Sequence, residues 1–213
     1  MIKDVDVVSL NKLAWDRVAE RFNKANYGKI GKVFKSFCDS LPDRGSILDV
    51  GCGTGKPFAA LLAERNFEVV GIDVSSRMVE IARRNVPLGK FRELSMTNLD
   101  YRDEFDGVVS SFSMLLLSPP LFRDVATRIV RSLRRGGFFY LALNEPLDNS
   151  VDVDEEALVE IMGEKMYSRA YTQKEVEDVF EPLGLRQLDF HREIRRSKEF
   201  GEEHVIEFLF KRT

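Results

Sequence analysis

The sequence predicts an α/β fold, a doubly wound sheet with helices on both faces. Three observations predict it. Short apolar runs alternate with stretches of helical periodicity through most of the 213 residues. The first clear run, Ile47-Leu48-Asp49-Val50, passes straight into Gly51-Cys52-Gly53-Thr54-Gly55-Lys56, with glycine at alternate positions. The second, Phe67-Glu68-Val69-Val70-Gly71-Ile72-Asp73, ends on an acid 22 residues beyond Gly51. A strand that breaks into a glycine turn and then a helix presents free N–H groups to a ligand. Glycine permits positive φ and a close approach of that ligand to the backbone. The turn therefore reads as a nucleotide-type binding loop.

The elements follow in order. Leu10, Leu13, Trp15, Val18, Ala19, Phe22, Ile30, Val33, Phe34 and Phe37 recur at spacings of three and four, which predicts two helices broken near Asn26-Tyr27-Gly28. After the first strand, Pro57-Phe58-Ala59-Ala60-Leu61-Leu62 is a helix with proline in its first turn. Ser75-Ser76-Arg77-Met78 opens a helix reaching Asn85, and a third strand starts at Phe91. Phe105 to Phe112 is a fourth strand, and Ser118-Pro119-Pro120-Leu121 is the entry to a longer helix ending near Leu133. Phe138 to Leu141 is a fifth strand. Residues 146–171 break the rhythm: Leu147-Asp148-Asn149-Ser150 is turn-like, and Asp152, Asp154, Glu155 and Glu156 read as an acidic helix start. Thr172-Gln173-Lys174-Glu175 is a capping box before a helix to Leu183, which Gly184 ends. Leu185 to His191 and His204 to Lys211 are the last strands, with Ile206, Phe208 and Phe210 alternating.

Three glycine loops compete for residues 49–57. A phosphate-binding P-loop needs G-x-x-x-x-G-K-[ST]; here Val50 replaces its first glycine and Pro57 its Ser/Thr. A dinucleotide fingerprint needs a third glycine where Lys56 stands, and that glycine serves close helix packing. What remains is D-x-G-x-G-x-G from Asp49 to Gly55. This loop resembles the first motif of the class I S-adenosylmethionine-dependent methyltransferases, in which it wraps the methionine part of the cofactor. Four further segments carry the resemblance, together covering about residues 45–145: Asp73-Val74-Ser75 with Met78, Phe91 to Leu99, Phe105 to Phe112, and Leu133-Arg134-Arg135-Gly136-Gly137.

The resemblance implies a Rossmann-like sheet of seven strands in the order 3-2-1-4-5-7-6, strand seven antiparallel, with an N-terminal helical lid. It implies S-adenosyl-L-methionine as cofactor and S-adenosyl-L-homocysteine as product. The implied cofactor residues are Asp49, Gly51, Cys52, Gly53 and Gly55 on the loop, Asp73 with Val74 and Met78, Ser95 and Met96, Ser111 and Phe112, and Trp15 from the lid. Asp73 is placed to accept two ribose hydroxyl bonds. Leu94-Ser95 departs from the family's Gly-Asp pair, so adenine loses one acidic partner, for which Ser95 or the Met96 backbone substitutes. Each residue also has a plainer reading. Asp49 caps the glycine turn, Asp73 caps a helix, Trp15 packs in the core, and Cys52 is a small filler.

Composition narrows the function classes. The net charge of −3, from 32 basic and 35 acidic residues, argues against a dedicated nucleic-acid binder. Cys38 and Cys52 make no disulfide framework, and no His/Cys spacing suggests a metal site. No apolar run nears 18 residues, the first residues lack a signal pattern, and a cytoplasmic protein is expected. The expected organisation is one domain over 1–213: a lid at 1–41, a cofactor core at 45–145, a substrate-side insert at 146–171, and a helix and strand pair at 172–213. The expected activity is methyl transfer to a small organic acceptor by in-line displacement. A catalytically silent cofactor binder and an RNA or protein methyltransferase are the alternatives. No catalytic residue is assigned; Glu145, Tyr171 and Tyr27 are candidate bases for the acceptor pocket. His191 and His204 read as strand-surface residues, and Arg192 to Lys198 as a solvated hairpin tip.

Overall fold

The computed structural model describes residues 6–25, 30–146, 157–197 and 200–213. Its elements are α1 (Val7–Phe22), α2 (Lys32–Ser40), β1 (Ser46–Val50), α3 (Phe58–Glu64), β2 (Glu68–Asp73), α4 (Ser76–Asn85), β3 (Lys90–Glu93), β4 (Phe105–Ser111), α5 (Pro119–Ser132), β5 (Leu133–Asn144), β6 (Ala157–Ile161), β7 (Glu164–Ser168), α6 (Gln173–Phe180), β8 (Leu185–Ser197) and β9 (Gly201–Arg212). Seven strands form one sheet in the order β3-β2-β1-β4-β5-β9-β8. Without the separate β6–β7 hairpin this is the expected 3-2-1-4-5-7-6. The penultimate position holds β9, which runs antiparallel to both neighbours.

β1 sits at the centre, its Ile47 opposite both Val69 of β2 and Gly107 of β4. Its side chains feed two cores, because a parallel strand is covered on both faces. Leu48 and Val50 join Val108, Phe139, Phe208 and Phe210 under α5 and α6. Ile47 joins Val109, Tyr140 and Leu209 under α2, α3 and α4. The strand order reverses between the parallel neighbours β1 and β4, which leaves a crevice at the carboxyl ends of these strands. The helix α1 packs beside that end, against β7 and α4.

Local signals explain the boundaries. Asp6 caps α1 by accepting the Val8 and Ser9 N–H groups at 3.1 and 3.2 Å. Proline opens α5, and Gly184 adopts a left-handed φ of 86° after α6 and a short 3-10 turn. At the start of α6, Glu175 N–H donates to Thr172 Oγ1 (3.2 Å) and Thr172 N–H to Glu175 Oε2 (2.9 Å), the predicted capping box.

Two expectations need correction. The insert, read as a helix start, is a β-hairpin over its described part: β6 and β7 pair from Ala157↔Ser168 to Ile161↔Glu164 around Met162 and Gly163 at positive φ. The turn at 147–150 and the acids Asp152, Asp154, Glu155 and Glu156 lie outside the described residues. So does the helix break at Asn26-Tyr27-Gly28. The last two strands are also longer than expected, pairing as far as Ser197↔Gly201, so Arg192 to Arg196 belong to a ladder rather than to a hairpin tip. Among the described residues no helix is long and apolar enough to cross a membrane.

Candidate active site

The glycine loop is stitched to the end of β2. Gly51 and Cys52 both donate N–H to the Ile72 carbonyl at 2.9 Å, and Gly53 N–H donates to Asp73 Oδ2 at 2.9 Å. The other Asp73 oxygen accepts Ser75 N–H at 2.8 Å. Asp73, not Asp49, is thus the carboxylate that holds the turn. The N-cap of α4 is Ser75, whose Oγ accepts Met78 N–H at 3.1 Å and donates to Asp16 of α1 at 2.6 Å.

Two glycines are required for different reasons. Gly51 has φ 74°, and a Cβ there would stand 2.3 Å from Ser113 Cβ. Ser113 is fixed by its own bond to the Val50 carbonyl (2.6 Å), which leaves its lone pairs to Ser110 Oγ at 2.8 Å. Gly55, expected on the cofactor, instead faces α4: a Cβ there would meet Val86 and Ala82 at 3.1 and 3.5 Å. The third glycine lets a helix pack close and is not on the cavity wall.

Above the loop lies a cavity of about 830 Å³, within the range of small-ligand sites. The other twelve expected cofactor residues line it: Asp49, Gly51, Cys52 and Gly53; Asp73, Val74 and Met78; Ser95 and Met96; Ser111, Phe112 and Trp15. Burial, with the negative charge of Asp73 adding, pushes the Asp49 carboxyl up to about 7. Burial raises Asp73 to about 6 against the opposing pull of the Ser75 and Gly53 N–H groups. Ser95 caps a short 3-10 turn, its Oγ accepting Thr97 N–H at 3.3 Å, so its hydroxyl already has one partner. Trp15 meets Phe22 edge-on at 5.1 Å, and both rings stand on the cavity wall. Trp15 is thus core packing and cavity wall at once.

A further polar wall comes from Asn144 of β5, Arg195 of β8, and Glu203 and Glu207 of β9. Glu207 is 1% exposed. Its Oε1 accepts the Tyr140 hydroxyl at 2.7 Å and Arg195 Nη2 at 2.9 Å. Sequence reasoning missed these residues. The available signal was Val205-Ile206-Glu207-Phe208-Leu209, an acid in a run otherwise apolar on both faces. Two of the three proposed bases, Glu145 and Tyr171, are not among the residues that line the cavity. Glu145 pairs with Arg192, and Tyr171 is stacked on Phe122 (4.3 Å) with its hydroxyl on the Leu117 carbonyl (3.0 Å). Burial pushes the Tyr171 phenol up. Tyr27 lies outside the described residues. His191 and His204 are partly covered on the strand pair, 3.9 and 3.8 Å from Glu193 and Glu202.

The donor set fits the cofactor that the sequence implies. Two carboxylates on the cavity wall with raised pKa values favour a ligand carrying positive charge, such as an ammonium and a sulfonium. Ser111 lines the cavity, and its buried hydroxyl has no hydrogen-bond partner among the described residues. Gly51 and Gly53, both at positive φ, bring their backbone onto the cavity wall.

A family model described as a methyltransferase domain matches residues 47–137. The chain is 30% identical over 134 residues to the tRNA (carboxymethyluridine(34)-5-O)-methyltransferase of Arabidopsis thaliana, a match over 61% of this chain and 31% of that protein. It is 26% identical over 176 residues to carboxy-S-adenosyl-L-methionine synthase of Campylobacter lari, covering 80% of this chain and 74% of the relative. The chain spans about a third of the length of the first curated relatives it matches. Among solved structures, magnesium protoporphyrin IX methyltransferase of Synechocystis with bound S-adenosylhomocysteine superposes with a TM-score of 0.72 at 14% identity, over 98% of this chain and 100% of that one. That likeness is one of fold.

Proposed function

We propose that this chain is a class I S-adenosylmethionine-dependent methyltransferase and that it moves a methyl group from S-adenosylmethionine to a small organic acceptor by in-line displacement. The observation that carries the reading is the pair of carboxylates, buried Asp49 and half-buried Asp73, that line the cavity at a glycine loop. Asp73 has lone pairs left for the ribose hydroxyls after holding Gly53 and Ser75. Leu94, Ser95 and Met96 bound the adenine end, and Trp15 with Phe112 supplies aromatic faces for a sulfonium.

Bound S-adenosylmethionine supplies an electrophilic methyl whose leaving group is a neutral thioether. The protein's task is to orient the acceptor along that bond and to keep water away. The helix α1 does the second by lying beside the cavity. Lys12 pairs with Glu93 at 3.1 Å and Asp16 holds Ser75, tying the helix to the ends of β3 and α4. The cavity wall is mostly apolar apart from the carboxylates and the Asn144–Arg195 side, which suits a small organic molecule better than a polyanion.

The Campylobacter relative, named for making a modified form of this cofactor, favours one other reading: chemistry on the cofactor itself. Calorimetry with S-adenosylhomocysteine and with NAD comes first, and tight NAD binding with no S-adenosylhomocysteine binding rejects the proposal. Mass spectrometry after incubation of S-adenosylmethionine with a metabolite extract then separates the readings. Methyl transfer adds a methyl to an extract compound; the other reading changes the mass of the cofactor and leaves the extract unlabelled.

A further inference from the structure

We propose that Glu207 is the recognition group of the methyl-acceptor subsite, and that the acceptor presents to it a hydrogen-bond donor, an amine or hydroxyl on a small apolar body, rather than a carboxylate. The inference rests on the methyltransferase reading and adds the acceptor's chemistry to it. One oxygen of Glu207 is fully engaged by Tyr140 and Arg195. The other, Oε2, is buried and, among the described residues, has no hydrogen-bond partner, although Glu207 lines the cavity. A buried carboxylate oxygen left unpaired is costly, and a donor arriving from the cavity removes that cost.

The surroundings choose the sign of the ligand. The Arg195 guanidinium is already committed to Glu207 at 2.9 Å and to Glu193 at 2.6 Å. Glu203 adds a second half-buried carboxyl, held by Asn144 Nδ2 at 3.2 Å, and burial raises its pKa. An anionic acceptor would meet like charge at this end of the cavity, where Arg195, the cation beside Glu207, is already paired. Gly31 leaves room for this carboxylate itself: a Cβ there would come within 2.4 Å of Oε2 and displace Glu207 from the cavity wall.

The test uses the full chain saturated with S-adenosylhomocysteine and three probes of one size: benzylamine, phenol and benzoate, titrated by calorimetry. Benzylamine and phenol are expected to bind, and benzoate at least about tenfold more weakly, the size of one hydrogen bond to a charged group. Glu207→Gln is expected to weaken benzylamine by about tenfold or more while S-adenosylhomocysteine affinity stays unchanged. Equal binding of benzoate and benzylamine by the wild type overturns the proposal, and so does absence of binding by all three. These two outcomes need no variant, so they decide the matter even if Glu207→Gln fails to fold. The S-adenosylhomocysteine titration reads the methyltransferase assignment and the probes, added with and without it, read the subsite; the two fail separately.

Discussion

Asp73 closes the glycine loop and faces the cavity with the same carboxylate, taking Gly53 N–H on one oxygen and Ser75 N–H on the other. Replacing it by alanine is therefore expected to weaken S-adenosylhomocysteine by about 1.5–3 kcal/mol, roughly 10- to 150-fold, the cost of losing hydrogen bonds to a charged group. Calorimetry on Asp73→Ala checks this; an unchanged affinity means that Asp73 does not hold the ribose. Asp49 and Asp73 also make a pH prediction. Their folded pKa values, about 7 and about 6, lie above the ordinary carboxylate value of about 4. Between those limits the folded chain binds more protons than the unfolded one, so the stability from this pair falls as pH rises through that window. A cationic ligand relieves the strain between the two charges and favours their ionised forms. Near Asp73, Asp16 pushes the other way from Lys12, and neither changes the sign. S-adenosylmethionine, whose sulfonium gives it a net positive charge, is expected to raise the melting temperature more at pH 8 than at pH 5.5. Equal increments would mean that the ligand's charge is not read by these acids.

At the scale of elements, the boundaries that sequence reveals are those set by local chemistry. The capping box at Thr172 and Glu175 is present as read, because both partners lie within one turn. Thr172→Ala is expected to lower stability by about 1 kcal/mol in chemical denaturation, and to leave S-adenosylhomocysteine affinity where it was. A loss of affinity would mean that α6 is coupled to the cofactor end, which its place beneath the sheet against α5 argues against. The β6–β7 hairpin was illegible for the opposite reason. Its strands are held by pairing with each other and by contact with α1, where Asn11 accepts Tyr167 N–H at 2.8 Å and donates to its carbonyl at 3.1 Å. Those partners stand 156 positions apart, and no local pattern announces them. The extended β8–β9 ladder is a similar case. Its charged residues suggest a solvated tip, yet Arg195 turns inward because the buried Glu207 carboxylate needs a cation.

Across the whole molecule, the cavity is a product of assembly. Its walls come from α1, the glycine loop, the turn after β3, the end of β4, β5 and the β8–β9 pair. The helix α1 is fastened to α4 by Asp16 and Ser75 and to β7 by Asn11, and this brings Trp15, the only tryptophan, onto the wall. Tryptophan emission is accordingly expected to change on titration with S-adenosylhomocysteine and to saturate at the calorimetric affinity. A flat signal would show that α1 stands clear of the bound ligand. The sequence by itself determined the sheet's alternation, the glycine loop with its acid at Asp73, and through them the family, because strand, turn and helix start are written in adjacent residues. Of the thirteen cofactor residues it named, twelve line the cavity. Only the tertiary structure decided that Gly55 serves helix packing, that Asp73 rather than Asp49 ties the loop, and that Glu207 lines the cavity. Each of these depends on which distant side chain arrives opposite, and a sheet sets that through register and strand order, which no single segment carries.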